Sequence, residues 1–149
     1  MTQEHIDLLT KDLSARLHYR LKIKTDYITT ATLISIRKNI NYGANKDLVV
    51  TYDISGQETP FQGDERYGTI SQIKPYLFPL SSMTEEHKEE YTHIVNYISS
   101  DDTDKWKEGE FIYVEQLEQL LHFYHKNHLD YRCLIEKGLA LDATGKNIY

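Results

Sequence analysis

The chain has little that would staple, anchor or export it. One of its 149 residues is cysteine, Cys133, so no disulfide can form within it and nothing demands an oxidising compartment. No apolar run approaches the roughly 18 residues needed to span a bilayer. The opening Met1-Thr2-Gln3-Glu4-His5 carries acid where a secretory signal has a basic start and an apolar stretch. The expectation is a cytoplasmic protein with no membrane partner. Seven glycines and three prolines are too few for a low-complexity chain, and Gly43, Gly56, Gly63 and Gly68 follow turn spacing, not GxxxxGK or GxGxxG. Base is also in deficit. With 17 Lys and Arg against 23 Asp and Glu, the net charge is −6, which excludes a wholly basic polyanion binder.

What is present is enough to fold. Leu, Ile, Val and Phe make up about a quarter of the chain, above the roughly 20% at which charged chains stay disordered. Tyrosine is in surplus, twelve against four Phe and one Trp. Its ring covers a core while its hydroxyl stays wet, so it suits the boundary of a thin core, and it also suits an interface.

Ile6, Leu9, Leu13 and Leu17 form the apolar stripe of a helix, with Thr2 placed to cap it. Leu21/Ile23/Thr25 and Thr32/Ile34/Ile36 then alternate as half-buried strands do, and 48–54 is a further β-rich run beyond turn residues 41–47. Residues 55–69 read as a loop, 69–73 as one short strand, and Pro75 and Pro79 as the close of the β-rich half. Ser82-Met83-Thr84-Glu85 has the form of a capping box. His87, Tyr91, Ile94 and Ile98 follow at helical spacing. After a polar, acidic break around Trp106, Val114, Leu117, Leu121, Tyr124 and His128 give the cleanest helical period in the chain. Asp130 is placed to cap a last short helix stopped by Gly138, and the tail 143–149 reads as loosely held. The pattern predicts an α+β protein: an N-terminal helix, a small antiparallel sheet or partly closed barrel, then a helical C-terminal lobe. Residues 1–80 would form the β-rich lobe and 81–149 the acidic helical lobe packed on it.

Charge divides at the same place. Residues 1–80 carry ten bases and nine acids, and residues 81–149 seven bases and fourteen acids. Eight bases fall between Lys11 and Lys46, against Asp12, Asp26 and no other acid before Asp47. Arg20, Lys22, Lys24, Arg37 and Lys38, interleaved with tyrosines, are candidates for a basic binding face. His122, His125 and His128 repeat every three residues, and His122 with His125 is the candidate metal pair. One straight helix turns the outer two apart by roughly 120°, so it cannot aim all three at one ion. Glu89 and His93 suit ordinary pairing on a helix surface. Cys133 follows Arg132, which favours a thiolate if both are exposed, but it adjoins Leu134 and Ile135, which favours a buried, inert thiol. There is no GxSxG, no HExxH and no calcium loop in register among the acids at 101–110.

Three strings carry a resemblance: Ile73-Lys74-Pro75-Tyr76-Leu77-Phe78-Pro79-Leu80, Ser81-Ser82-Met83-Thr84-Glu85-Glu86, and Leu129-Asp130-Tyr131-Arg132 with Leu134 to Leu141. With the start Leu8 to Leu17 they resemble a family of small proteins from gut Bacteroides-type bacteria, their phages and mobile elements, a family without an assigned activity. The resemblance implies an accessory protein, more often a binding or regulatory factor than an enzyme. The leading expectation is therefore a non-enzymatic factor that engages a host or mobile-element protein or self-associates, and needs no cofactor. The alternatives are a nucleic-acid-binding accessory protein using the basic lobe, and a small metal-dependent enzyme around His122 and His125. Tyr131 and Arg132 are candidates for a contact that bridges the lobes.

Overall fold

Thr2 starts the first helix as its spacing predicts. Its Oγ1 accepts from the His5 amide at 3.2 Å, and α1 runs Gln3–Ala15. In the computed structural model, which describes residues 1–38, 48–54, 65–99 and 112–149, Leu9 and Leu13 of α1 are fully buried against a six-stranded sheet. The strands are β1 Lys22–Thr25, β2 Ala31–Lys38, β3 Leu48–Asp53, β4 Glu65–Thr69, β5 Ile73–Leu77 and β6 Leu141–Asp142. Their spatial order is β4-β3-β2-β1-β5-β6. Neighbours are antiparallel except β5 and β6, and the sheet is open, so the α+β expectation holds without the barrel. The period of two puts Ile23, Leu33, Val50, Tyr52 and Ile73 into the core with α1. It leaves Lys22, Lys24 and their register partners on the opposite face.

The sheet departs from the sequence reading in three places. The strand expected at 69–73 is broken: Ile70–Gln72 form a single 3-10 turn between β4 and β5. β4 lies where a loop is expected. Its residues Glu65-Arg66-Tyr67-Gly68-Thr69 have weak strand propensity, and what makes them a strand is pairing with β3 from Val49↔Thr69 to Asp53↔Glu65. Pro75 lies inside β5 and does not close the β-rich half. Leu77 points its carbonyl at β6, accepting from Ala143 N at 2.8 Å. Pro75, two residues earlier, points the same way and lies before the Tyr76↔Leu141 start of that pairing. Its missing N–H therefore costs no bond to β1.

The helices of the second half are α2 Glu85–Ser99 and α3 Ile112–Lys126. They build a smaller core from Ile94, Phe123 and Leu129, with Phe78, Tyr91 and Tyr124 packed against it. This core meets the sheet where β5 ends. Phe78 N donates to His128 O at 2.9 Å, and Asp130 N donates to Phe78 O at 2.8 Å. Beyond α3 the chain returns to the larger core, where Leu134, Leu139 and Ala140 are buried. Asp130 does act as a cap, its carboxylate accepting from the Leu134 and Ile135 amides at 2.8 Å each, but it caps a series of turns and not a helix. Gly138 has the positive φ, 68°, expected of a stop. The tail is held, contrary to expectation: Ala143 is fully buried and Tyr149 is hydrogen-bonded into the sheet. The expected turn at 41–47, most of the 55–69 loop and the break around Trp106 lie outside the described residues. Among the described residues no helix is long and apolar enough to cross a membrane.

Candidate functional site

The chain's most committed polar group is Arg16, at the end of α1. The sequence counts it among eight bases of a surface stretch, yet its side chain is completely buried, as is that of Asp12 one turn earlier. Arg16 Nε donates to Asp12 Oδ2 at 2.7 Å and Nη2 to Oδ1 at 3.1 Å, the forked geometry that makes arginine–carboxylate pairs strong. The rest of the guanidinium reaches the second core: Nη2 donates to Leu129 O at 2.7 Å and Nη1 to Tyr124 O at 3.2 Å. Tyr124 O is a carbonyl of the last turn of α3, where a cation complements the helix dipole. Tyr131 packs over this centre. Its ring stacks on Tyr124 at 4.8 Å and 11°, and the Arg16 and Arg132 guanidinium carbons lie 5.6 and 4.8 Å from its centroid. Arg132 Nε comes to 3.4 Å from Asp12 Oδ1, an ionic reach that leaves this nitrogen without a hydrogen bond.

The histidines have separate roles. His122 is exposed, and its Nδ1 lies 2.7 Å from the Tyr19 hydroxyl. His125 is buried, and its Nε2 lies 2.9 Å from the Tyr131 hydroxyl. Burial, then the Arg16 guanidinium, pushes the His125 imidazole down to about 4. Among the described residues no group of three His, Cys, Asp or Glu side chains is placed to hold a metal ion. His128 does not continue the helix stripe. It follows the end of α3 with φ 51°, and its amide donates to His125 O while the Leu129 amide donates to Tyr124 O. These are the two bonds of a Schellman motif, with histidine where glycine is usual. Burial, again with Arg16, pushes His128 down to about 4. Tyr149 stacks on its ring at 4.0 Å and 18°. The Tyr149 hydroxyl donates to Tyr76 O at 2.6 Å and accepts from Lys22 N at 3.3 Å, filling the place of a direct β1–β5 bond. Burial raises its pKa.

Of the candidate basic residues, Lys22, Lys24 and Arg37 lie on the other side of the sheet from α1. Lys24 is directly opposite Lys74 across the β1–β5 pair, and both are exposed. Lys22, on the same face, directs Nζ to Thr32 Oγ1 at 2.8 Å. Arg37 is paired in register with Val49, and its guanidinium carbon lies 5.5 Å from the ring centroid of Tyr67, which is 61% exposed on β4. Tyr27, beyond β1, is 83% exposed. Arg20 precedes β1 in left-handed backbone and is exposed, and the side chain of Lys38 lies outside the described residues. The sheet thus brings Lys22, Lys24 and Arg37 to one face and adds Lys74 and Tyr67, which sequence reasoning missed. Lys74 could have been flagged only by knowing the register of β5, because it stands 50 residues after Lys24. Cys133 is exposed with φ 56°, not buried as its apolar neighbours suggest, because the backbone turns there. No family model, curated protein or solved structure matches this chain.

Proposed function

We propose that the protein is a non-enzymatic binding factor that engages an acidic surface of a host or mobile-element protein with the outer face of its sheet. The observation that carries this reading is the cross-strand pair Lys24↔Lys74. Like charges directly opposite in a sheet destabilise it by a few tenths of a kcal/mol to about 1 kcal/mol. An exposed lysine pair at that position does nothing for folding, and an acidic partner surface relieves its repulsion. The buried charges, by contrast, are held by structural partners on both sides of the seam. The test is capture of partner proteins by the wild-type chain and by Lys24→Glu/Lys74→Glu. The double reversal keeps a like-charge pair, so its folding cost is matched while the sign of the face is inverted. A partner retained by the wild type and lost by the reversal is the expected result. Equal retention, or none by either chain, contradicts the reading.

One observation favours a second reading, single-stranded nucleic acid. The Arg37–Tyr67 stack on an exposed strand, with Tyr27 nearby in sequence to the lysines, supplies both elements that such proteins use, a cation and a ring face. Binding of an oligodeoxythymidine that weakens steeply with salt and with Tyr67→Ala supports it, and complete flow-through at low salt removes it.

A further inference from the structure

We propose that the cavity beside the Lys24–Lys74 pair is a site for a phosphate monoester, and that the acidic group a partner protein brings there is a phosphorylated serine. The inference rests on the reading of that face as the contact for an acidic partner, and names the group it takes. The cavity lies where β1 ends and β5 begins. It holds about 280 Å³ and is lined by Lys24, Thr25, Asp26, Ser71, Gln72, Lys74 and Leu141. That is a little below the roughly 300 Å³ of the smallest drug-sized sites, room for one phosphorylated side chain. The neutral polar groups of the lining are already engaged. Thr25 Oγ1 accepts from the Tyr27 and Ile28 amides, Gln72 Oε1 accepts from the Thr69 amide, and Ser71 Oγ lies 2.9 Å from Thr69 Oγ1. The charged groups are not. Among the described residues the side chains of Lys24, Lys74 and Asp26 make no ion pair and no hydrogen bond, whereas Lys22 directs its Nζ to Thr32.

Register makes the two lysines act together. They are directly opposite across the β1–β5 pair, where side chains start about 5 Å apart, so both flexible stems reach one anion. A carboxylate brings one negative charge to them. A phosphate monoester brings about 1.5 to 2 at pH 7, with three acceptor oxygens, so each ammonium takes an oxygen of its own and their repulsion is relieved. Asp26 then sets what stands beside the phosphate. Its carboxylate repels a bare anion and accepts from a donor, so the ligand that suits all three charges carries an N–H a few bonds from its phosphate. The backbone amide of a phosphoserine is such a donor, and Leu141 supplies an apolar wall for the methylene between them.

The probe is N-acetyl-O-phosphoserine amide, followed by amide chemical shifts of the full chain at neutral pH and low salt. Saturable shifts centred on residues 24–26, 71–74 and 141 are expected, with dissociation on the order of 1 mM for so small a ligand. N-acetylglutamate amide, with the same N–H and a single carboxylate, should bind at least about fivefold more weakly, and so should methyl phosphate, a monoester with no N–H. Lys74→Gln should weaken the probe at least about fivefold while the melting temperature holds or rises, because a like-charge pair is removed. Asp26→Ala should erase the preference over methyl phosphate. Absence of saturable shifts up to about 10 mM probe overturns the inference, and partner capture that still depends on the lysine pair would then trace to carboxylates. Equal binding of either comparator also overturns it. So does probe binding that survives Lys74→Gln, or a preference over methyl phosphate that outlasts Asp26→Ala.

Discussion

Arg16 holds the two cores together, and its replacement is the sharpest stability test. Arg16→Met leaves Asp12 buried without its forked partner and takes the side-chain donor from two carbonyls across the seam, a loss of about 3–5 kcal/mol. Arg132→Ala removes a partly exposed ion at 3.4 Å and a ring contact, and should cost about 1 kcal/mol or less. Thermal melts should rank the two in that order, and equal losses would show that Arg16 is not the link between the cores. His125 and His128 give a second prediction. Both are pushed from 6.5 down to about 4 in the folded chain, so the unfolded chain binds more protons between those values. Stability therefore falls as pH drops from 6.5 toward 4 and levels off below it. Within that window each histidine removes at most about 1.4 kcal/mol for every pH unit, less where water screens the ring. Equilibrium denaturation at pH 7 and pH 4.5 measures this, and His125→Gln should flatten the slope. The pair Asp12/Arg16 is visible in sequence as an i, i+4 spacing. Its burial is not, because the groups that cover it lie 108 and 113 residues away.

The elements set by local pattern were legible, and those set by distant pairing were not. α1, β1, β2 and β3 follow from the Leu9/Leu13 stripe and the alternation around Ile23 and Thr32. α2 and α3 follow from the same period of 3.6. β4 has no strand signal of its own, and Pro75 reads as a stop until β6 is known to begin its pairing one residue later. His128 hides a helix end because no glycine marks the left-handed residue. The ordered tail is hidden for a related reason: Tyr149 works through one hydroxyl placed between β1 and β5, which no periodicity reports. Tyr149→Phe removes that bridge and leaves the Lys22 amide and Tyr76 carbonyl unsatisfied, a cost of about 1–3 kcal/mol. Hydrogen exchange at the Lys22 amide should accelerate about tenfold or more. Unchanged protection would mean that β1 and β5 close directly once the hydroxyl is gone.

For the whole molecule, the charge asymmetry read from sequence acquires a geometry. The basic stretch of the first half supplies a buried structural cation, Arg16, and Lys22, Lys24 and Arg37 on an outer face that Lys74 joins from β5. The candidate site was thus half legible: alternation puts Lys22 and Lys24 on the solvent side, but the partner across the sheet depends on register. If that face is kept for binding and not for folding, Lys74→Glu should stabilise the free protein by up to about 1 kcal/mol, by turning a repulsive cross-strand pair into an attractive one. The same change should weaken engagement of an acidic partner. The decisive measurement is partner capture by Lys24→Glu/Lys74→Glu beside the wild type, at matched melting temperature. Loss of the partner on reversal is the result expected of a basic working face, and retention of the same partner by both chains would contradict it.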